Sequence, residues 1–259
     1  MAKPKWAAFP HPTKEFAFAG DTLKKQWGAL HQGDAEPWPK EAGEQEAWRL
    51  FHQGKFAEAV VVGLDAGGAG VTAAIKAQAI YANGVEPKEA AKVALFEEAM
   101  ERAAGHVADD PKNANAHYLY AYAAGRYSQR ISVAKALAQG YGGKIRTALE
   151  AALKLSARHA EAHIAMGAYH AEIIDKVGAL VGGLTYGAKR EKGDEHFQKA
   201  LKLAPASPIA HIEYANGLVL LYGKAKLAEA GKLYAKAAAM KPRDAMEKLD
   251  VEMAKAELA

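Results

Sequence analysis

The sequence predicts an all-α protein built from stacked helix pairs, and two observations support this. A short helix opening recurs as Asn115-Ala116-His117, Glu161-Ala162-His163 and Ile209-Ala210-His211, so the three histidines stand 46 and 48 residues apart. A fixed period of roughly 20 to 50 residues is the signature of repeated supersecondary units that stack on one another. Alanine is abundant and runs of β-branched residues are short, which favours helix over strand.

Composition limits the classes of function. The chain has 259 residues, of which 50% are hydrophobic and 25% charged, enough for a large core in one solenoid. The formal net charge of +4 is small and the basic residues are dispersed among acidic ones, so we expect no nucleic-acid partner. The absence of cysteine excludes disulfides and thiolate metal sites.

The sequence also indicates where the protein works. No stretch reaches the roughly 18 consecutive apolar residues that a membrane span needs. The opening residues Met1 to Trp6 are not followed by the apolar core of a signal peptide. We therefore expect a cytoplasmic protein with no membrane span, or a periplasmic one if a leader has been removed.

Residues 1–40 differ from the rest because they are rich in aromatic residues and proline and lack a helical period. A short helix with the apolar stripe Leu23, Trp27 and Leu30 is predicted within them. We expect an arm whose aromatic side chains cap the first repeat, since terminal repeats need a cover. The alternative is a strap that threads a groove or a neighbouring subunit.

Residues 41–242 predict five helix pairs, and residues 243–259 predict a capping helix at the open end. The expected helices are a pair within 41–66, single helices near 72–83 and 88–104, one long helix near 113–136 with a partner ending at 155, a pair between 160 and 203, a pair near 208–222 and 225–240, and a last helix near 244–257.

The spacing of a few residues resembles the tetratricopeptide repeat, in which Ala is followed four residues later by Phe and eight after that by Pro. This spacing is met by Ala230, Tyr234 and Pro242 in the last unit, and by Gly193, Phe197 and Pro205 in the unit before it. The resemblance implies a right-handed superhelix of about five helix pairs with a concave binding surface. The units that begin at the recurring helix opening are longer than the 34 residues of a plain repeat. The excess implies long inter-helix inserts.

Long units with glycine-rich inserts are also similar to two divergent groups of such proteins. One is the T-component of TRAP-type periplasmic solute transporters, which implies a role in holding hydrophobic ligands, and the other is the regulator-of-microtubule-dynamics group. The similarity rests on the inserts and on the segments Gly125-Arg126-Tyr127 and Phe197-Gln198-Lys199-Ala200-Leu201. No functional residue is transferred from either group.

The ten histidines could suggest a metal site, because His159, His163 and His170 can share one helix face. However, His117, His163 and His211 occupy equivalent positions in three units, which indicates packing between paired helices. We therefore expect no metal and no cofactor. The glycine-rich segments 67–72 and 140–144 lack the P-loop pattern, and no nucleophile elbow or His-Glu-x-x-His motif occurs, so we expect no enzyme.

A polar and aromatic stripe marks the predicted long helix near 113–136, which is the first helix of unit one, the unit that begins at Asn115-Ala116-His117. Its residues follow at successive steps of four and lie along one helix side. The resemblance places this side on the concave surface, where tyrosine offers contact area and arginine can bind a carboxylate. The alternative is that the tyrosines pack between helices and the arginines are solvated. The predicted binding residues are Tyr118, Tyr122, Arg126, Gln129 and Arg130, joined by Asn216 if unit three is in register.

Residues 177–187 form an apolar insert without a charged residue. Because exposed apolar segments usually find cover, the insert could fold on its own array, line a ligand cavity or form a subunit contact. We expect cover within the chain, against the neighbouring unit near Tyr118 and Tyr122.

The predicted function is non-catalytic binding of a peptide segment or partner protein in the concave groove. The alternative is a carrier of a small hydrophobic molecule or lipid in a cavity closed by residues 177–187, and an enzyme of unidentified class comes third. The sequence leaves open the identity of the partner and whether the chain forms a homo-oligomer.

Overall fold

The computed structural model describes residues 3–259, so the first two positions of the predicted arm lie outside it. The first half of the chain forms α1 (Thr22–Leu30), α2 (Ala42–His52), α3 (Phe56–Ala66), α4 (Gly68–Gly84), α5 (Glu89–Asp109) and α6 (Ala114–Ser128). The second half forms α7 (Val133–Ala138), α8 (Tyr141–Leu155), α9 (Ala160–Val177), α10 (Ala179–Tyr186), α11 (Arg190–Leu203), α12 (Pro208–Tyr222), α13 (Leu227–Ala238) and α14 (Ala245–Glu257).

The helices form five antiparallel pairs, which are α2/α3, α4/α5, α6/α8, α9/α11 and α12/α13. The first helix of each pair packs on the first helix of the next, in the order α2, α4, α6, α9 and α12. The short helices α7 and α10 are the long inserts, one within the third pair and one within the fourth. The predicted all-α array of about five helix pairs is therefore confirmed. Among the described residues no helix is both long and apolar enough to cross a membrane.

Each copy of the recurring helix opening follows an N-cap, which lies two residues before its first member. The side chains of Asn113, His159 and Ser207 each accept a hydrogen bond from the backbone N–H three residues later, at 3.0, 3.0 and 3.4 Å. Such caps satisfy N–H groups that have no partner within the helix. The period read from the sequence therefore marks the start of α6, α9 and α12.

The three equivalent histidines follow these caps and bind the chain just before each helix. A ring nitrogen of His117, His163 and His211 lies 3.0, 3.2 and 2.9 Å from the carbonyl oxygen of Pro111, Ala157 and Ser207 respectively. His163 and His211 are buried and His117 is partly buried. Their shared role is to fix the entry into the first helix of a pair.

Small residues are needed where α9 and α12 approach α11. The ring of Phe197 on α11 is fully buried between Gly167 and Gly217. A Cβ atom at Gly217 would lie 2.2 Å from Phe197 Cε2, and one at Gly167 would lie 2.9 Å from the same ring. The two glycines therefore allow the close packing of three helices around one aromatic side chain.

Two local boundaries differ from the sequence prediction. The single helix expected over 113–136 is wrong, because α6 ends at Ser128 and α7 begins after Ser132, whose hydroxyl accepts a hydrogen bond from the N–H of Lys135 at 3.2 Å. The break expected over 64–72 is limited to Gly67 and Gly68, which have φ values of 71° and 49°. Helix α4 therefore starts four residues earlier than expected.

The aromatic residues of the arm pack on the first helix pair. Phe16, Phe18 and Trp27 are buried in one cluster with Trp48 and Phe51 of α2. The Trp27 ring lies edge-on to the Trp48 ring, with centroids 5.8 Å apart. Aromatic pairs in this arrangement stabilise a core beyond the area that they bury.

The last helix joins the two ends of the array. Helix α14 packs beside α13 and α12 and also contacts α2. Asp244 caps α14 by accepting a hydrogen bond from the Glu247 N–H at 2.8 Å, and its other oxygen lies 2.7 Å from His52 Nδ1, a residue 192 positions away. Helix α14 is therefore a link between the first and last repeats as well as a cover for the last one.

We predict that Gly217→Ala lowers the free energy of unfolding by about 1–3 kcal/mol, because the new methyl group overlaps the Phe197 ring in a packed core. The matched control is Gly105→Ala, at an exposed position inside α5 with no atom near the added methyl group. The control should raise stability by up to about 1 kcal/mol, since alanine favours helix. Chemical denaturation of the three proteins measures both changes, and equal effects of the two substitutions would contradict the packing described.

Candidate functional site

The inner helices border a partly open cavity of about 480 Å³. Residues of α4, α6, α9, α12 and α14 line it, together with α7, the start of α8 and part of the arm. Most of its wall is apolar, including Ile164 and Ile173 of α9 and Leu249 and Met253 of α14. The space is therefore bounded by the helices that would form the concave surface of a repeat array.

Four of the six predicted binding residues line this cavity: Tyr118, Tyr122, Arg126 and Gln129. The rings of Tyr118 and Tyr122 lie 6.1 Å apart, and the Arg126 guanidinium carbon lies 5.4 Å from the Tyr122 centroid. Helix α6 brings these side chains together because they lie three or four residues apart. Their role in binding stays a prediction.

Arg126 and Gln129 are held by carboxylates on neighbouring helices. Arg126 forms a salt bridge with Glu213 of α12. Gln129 donates a hydrogen bond to Glu172 of α9 at 3.2 Å. The Arg126 guanidinium is therefore already paired and is not free to bind an anionic ligand.

Arg130 does not line the cavity, so it lies apart from Tyr118, and its role in binding stays a prediction. It lies beyond the end of α6, with its guanidinium carbon 5.0 Å from the centroid of the Phe96 ring. Steps of four residues drift around a helix of 3.6 residues per turn, and three steps from Tyr118 accumulate about 120°. The drift turns Arg130 toward α5.

Asn216 lies on α12 in a second, shallower hollow of about 540 Å³ that Arg126 and Gln129 also border. It accepts a hydrogen bond from the hydroxyl group of Tyr234 on α13. Asn216 is thus beside the predicted stripe but not inside the central cavity.

A buried lysine forms the polar floor behind the cavity. Lys76 on α4 is 4% exposed, and its Nζ lies 2.6 Å from Asp34 Oδ2 and 2.9 and 3.1 Å from the two carboxylate oxygens of Glu161. Asp34 belongs to the arm and Glu161 to α9, where it also lines the cavity. One ammonium group therefore connects three parts of the chain that are distant in sequence.

The same network continues to the end of the chain through two histidines. His31 Nδ1 lies 2.9 Å from Asp34 Oδ1, His31 Nε2 lies 3.1 Å from His52 Nε2, and His52 Nδ1 lies 2.7 Å from Asp244 Oδ2. Three hydrogen bonds in a row need three hydrogens, whereas two neutral imidazoles supply two. The two Nδ1 hydrogens therefore serve the two carboxylates, and the contact between the two Nε2 atoms has no hydrogen of its own while both imidazoles are neutral.

Burial shifts the protonation of the groups in this network. Burial acts to raise the pKa of Asp34. The interactions with His31 and Lys76 outweigh burial and hold that pKa well below its usual value. Burial, reinforced by the charge of Asp34, raises the pKa of Glu36 to about 8, so this carboxyl group keeps its proton at neutral pH. Burial lowers the pKa of His31 to about 4.

Glu36 belongs to a branch of the network that fixes α6 and α9. The Asn115 side chain donates hydrogen bonds to Glu36 Oε2 at 2.5 Å and to the carbonyl oxygen of Asp34 at 3.1 Å, and its own oxygen lies 2.8 Å from His159 Nε2. His159 in turn caps α9. The polar network therefore sets the relative position of the two helices that carry the candidate site.

Sequence reasoning missed the contribution of Lys76 and of α14. Lys76 is the one charged residue of α4, a signal that could have been found, because a single charge in an apolar helix must be solvated or paired. Met246, Leu249, Asp250 and Met253 of α14 line the cavity at helical spacing. Their position could not be read from periodicity, since it depends on a contact across 192 residues.

The apolar insert is exposed, contrary to the expectation that its own chain covers it. In α10, Leu180 is 76% and Leu184 82% exposed. The helix instead contacts the array through Gly182, against Ile173, and through the carbonyl oxygen of Tyr186, which accepts a hydrogen bond from the Tyr169 hydroxyl at 2.9 Å. Val177 at the end of α9 lines the cavity, whereas residues 178–187 do not, so α10 is not among the helices that border it. The predicted closing role of the insert 177–187 stays a prediction.

The histidines near α9 contact backbone groups and one another. His159 is occupied as the cap of α9, and His163 Nδ1 lies 2.8 Å from His196 Nδ1. Burial, followed by the charges of nearby histidines, lowers the pKa of His196 to about 4. Across residues 3–259 no group of three or more His, Cys, Asp or Glu side chains is arranged to hold a metal ion.

Comparison with known proteins identifies the fold as tetratricopeptide-like. A crystal structure of a thermophilic TPR protein from Thermus thermophilus is similar with a TM-score of 0.57, over 82% of this chain and 99% of that chain, at 20% sequence identity. The family model described as regulator of microtubule dynamics protein 1-3 matches residues 73–177. No curated protein matches the sequence. The predicted class, a tetratricopeptide-like helical-repeat protein, is confirmed.

We predict that Lys76→Met lowers the free energy of unfolding by about 3–5 kcal/mol, because it leaves Asp34 and Glu161 buried without a compensating cation. The matched control is Lys192→Met, which removes an exposed pair with Glu195 and should change stability by less than about 1 kcal/mol. Urea denaturation at neutral pH measures the change in the free energy of unfolding for both variants. A loss at Lys76 no larger than that at Lys192 would show that the network does not hold the array together.

Proposed function

We propose that this tetratricopeptide-like protein is a non-catalytic binding scaffold that holds a small, mostly apolar molecule in its central cavity. The cavity itself carries the proposal. Its volume of about 480 Å³ falls within the roughly 300–1,000 Å³ of small-molecule sites, and its wall is mainly apolar with a few polar groups from α6 and α9. This favours the carrier alternative drawn from the sequence, with α14 in place of the apolar insert as the closing element.

An extended peptide fits this surface less well. In an open groove, a peptide would lie along the first helices of successive pairs. Here one face of α14, with Met246, Leu249 and Met253, already borders that space. A bound peptide would have to displace α14 and the contact between Asp244 and His52.

The charged groups beside the cavity support binding over catalysis. Glu161 is paired with Lys76 and Glu213 with Arg126, so these groups serve the packing of the helices. Burial raises the pKa of Glu161, as structural ion-pair networks also do. Such groups orient a ligand without offering a free nucleophile or base.

We expect the neutral probe 1-octanol to bind the cavity and raise the melting temperature, as any ligand of the native state does. Ala165→Phe places an aromatic ring on the cavity wall and should weaken octanol binding at least tenfold by isothermal titration calorimetry. The control Ala104→Phe, at an exposed position on α5, should bind octanol as the wild type does. Equal affinity of wild type and Ala165→Phe would contradict the proposal.

A second candidate function, self-association, is favoured by the exposed side chains of Leu180, Val181 and Leu184. Helix α10 has no charged residue, so like charges do not oppose the pairing of two copies.

We predict that the double variant Leu180→Asp, Leu184→Asp abolishes self-association in sedimentation velocity, because it places charges in an apolar contact. Its stability should change by less than about 0.5 kcal/mol, since both side chains are exposed in the single chain. A monomeric wild type at high concentration would refute this candidate.

A further inference from the structure

The cavity wall is acidic. Two basic side chains line it, Arg126 and Lys176. The carboxyl side chains that line it are Glu161, Glu172, Glu213, Asp250 and Glu252. The excess of acidic groups points away from an anionic ligand.

Most of these carboxyl groups already have partners. Lys76 binds Glu161, and Arg126 binds Glu213. Glu172 accepts a hydrogen bond from Gln129, and its Oε2 atom lies 4.0 Å from Lys176 Nζ. Glu252 also has basic partners, because its Oε1 atom lies 3.1 Å from Lys248 Nζ and 2.9 Å from Lys255 Nζ.

Asp250 differs from these four. It faces the cavity from α14, and its Oδ2 atom is buried without a hydrogen-bond partner among residues 3–259. Buried polar atoms in native proteins nearly always have a partner, so an orphaned carboxyl oxygen calls for an explanation. Because Asp250 also lines the cavity, a ligand group that donates hydrogen bonds can reach the carboxyl group from that side.

The surroundings of Asp250 define the charge of that group. Burial raises the pKa of Asp250 well above its usual value. The charges of four carboxyl groups add to this effect: Glu247, Asp244, Glu161 and Glu213. Every charged neighbour named here is itself a carboxyl group. A cation beside Asp250 favours the ionised form of this group, so an incoming cation displaces the carboxyl proton to solvent and is then attracted by the carboxylate, whereas an anion is repelled.

We propose that the molecule held in the central cavity is an organic amine, whose apolar body packs against the wall while its ammonium group is bound by the Asp250 carboxylate. This inference rests on the proposed function and adds the chemical class of the ligand. The apolar wall near Ile164, Ile173 and Met253 takes the body of the molecule. Arg126 is engaged by Glu213 and offers no counter-charge to a carboxylate or phosphate ligand.

Three probes with the same alkyl chain test the charge preference: octylamine, 1-octanol and octanoate. Isothermal titration calorimetry at neutral pH, where the amine is protonated, should show octylamine binding at least tenfold more tightly than octanol, since a charge-assisted hydrogen bond to a buried group is gained. Octanoate should bind most weakly. This ranking is measured on the wild-type protein and depends on no variant.

Asp250→Asn then assigns the preference to one residue. Asparagine has nearly the same shape and no charge, so the variant should keep its octanol affinity and lose the tenfold preference for octylamine. The matched control Asp65→Asn removes an exposed carboxylate at the end of α3 and should keep both affinities.

The outcomes separate this inference from the proposed function. If octanol and octylamine bind equally well, or if Asp250→Asn keeps the preference for the amine, the cavity binds apolar molecules but the assignment to amines is wrong. Tighter binding of octanoate than of octylamine would also show that the assignment to amines is wrong. If none of the three probes binds, the proposed function itself fails, and the inference with it.

Discussion

The ammonium group of Lys76 is the interaction on which the arrangement of this protein depends. A lysine that is removed from water needs anionic partners within hydrogen-bond distance, because burying an unpaired charge costs several kcal/mol, a large fraction of the stability of a domain. Its two partners are Asp34, from the arm, and Glu161, from α9. Helix α4 can therefore be buried as it is only when the arm and the fourth repeat are both in place.

This constraint also shapes the candidate site. Glu161 binds Lys76 and at the same time lines the cavity beside Tyr118, so the polar floor of the cavity is positioned from behind by α4 and the arm. Asn115 and His159 add a second connection between the arm, α6 and α9. The helices that carry the site are held by hydrogen bonds with defined geometry in addition to apolar packing, which favours one fixed cavity shape.

The sequence was informative wherever the signal is local. The N-caps at Asn113, His159 and Ser207 recur with the repeat, so the starts of α6, α9 and α12 could be predicted, and the bounds expected for α12, 208–222, agree with the structure. Spacing along a single helix grouped Tyr118 and Tyr122 on one side, and the tetratricopeptide resemblance assigned that side to the concave surface. These features depend on residues within a few turns of each other.

The remaining features depend on contacts that no periodic pattern records. The position of α14 follows from a pairing of residues far apart in the chain, and Asp250 could be recognised only after that helix was placed. Leu180 and Leu184 were expected to be covered because apolar side chains usually are, but a short helix with two glycines turned to the array leaves its larger side chains outward. Burial is a property of the assembled fold, which local sequence does not encode.

The contact between His52 and Asp244 has a consequence for biosynthesis. During translation the first repeats leave the ribosome long before their polar network can be completed, because Asp244 is made 192 residues after His52. Until then His52 lacks its acidic partner from α14, and the apolar face of α2 and the arm is only partly covered. The nascent chain thus carries a half-finished first repeat until α14 is made, a state in which a chaperone could bind.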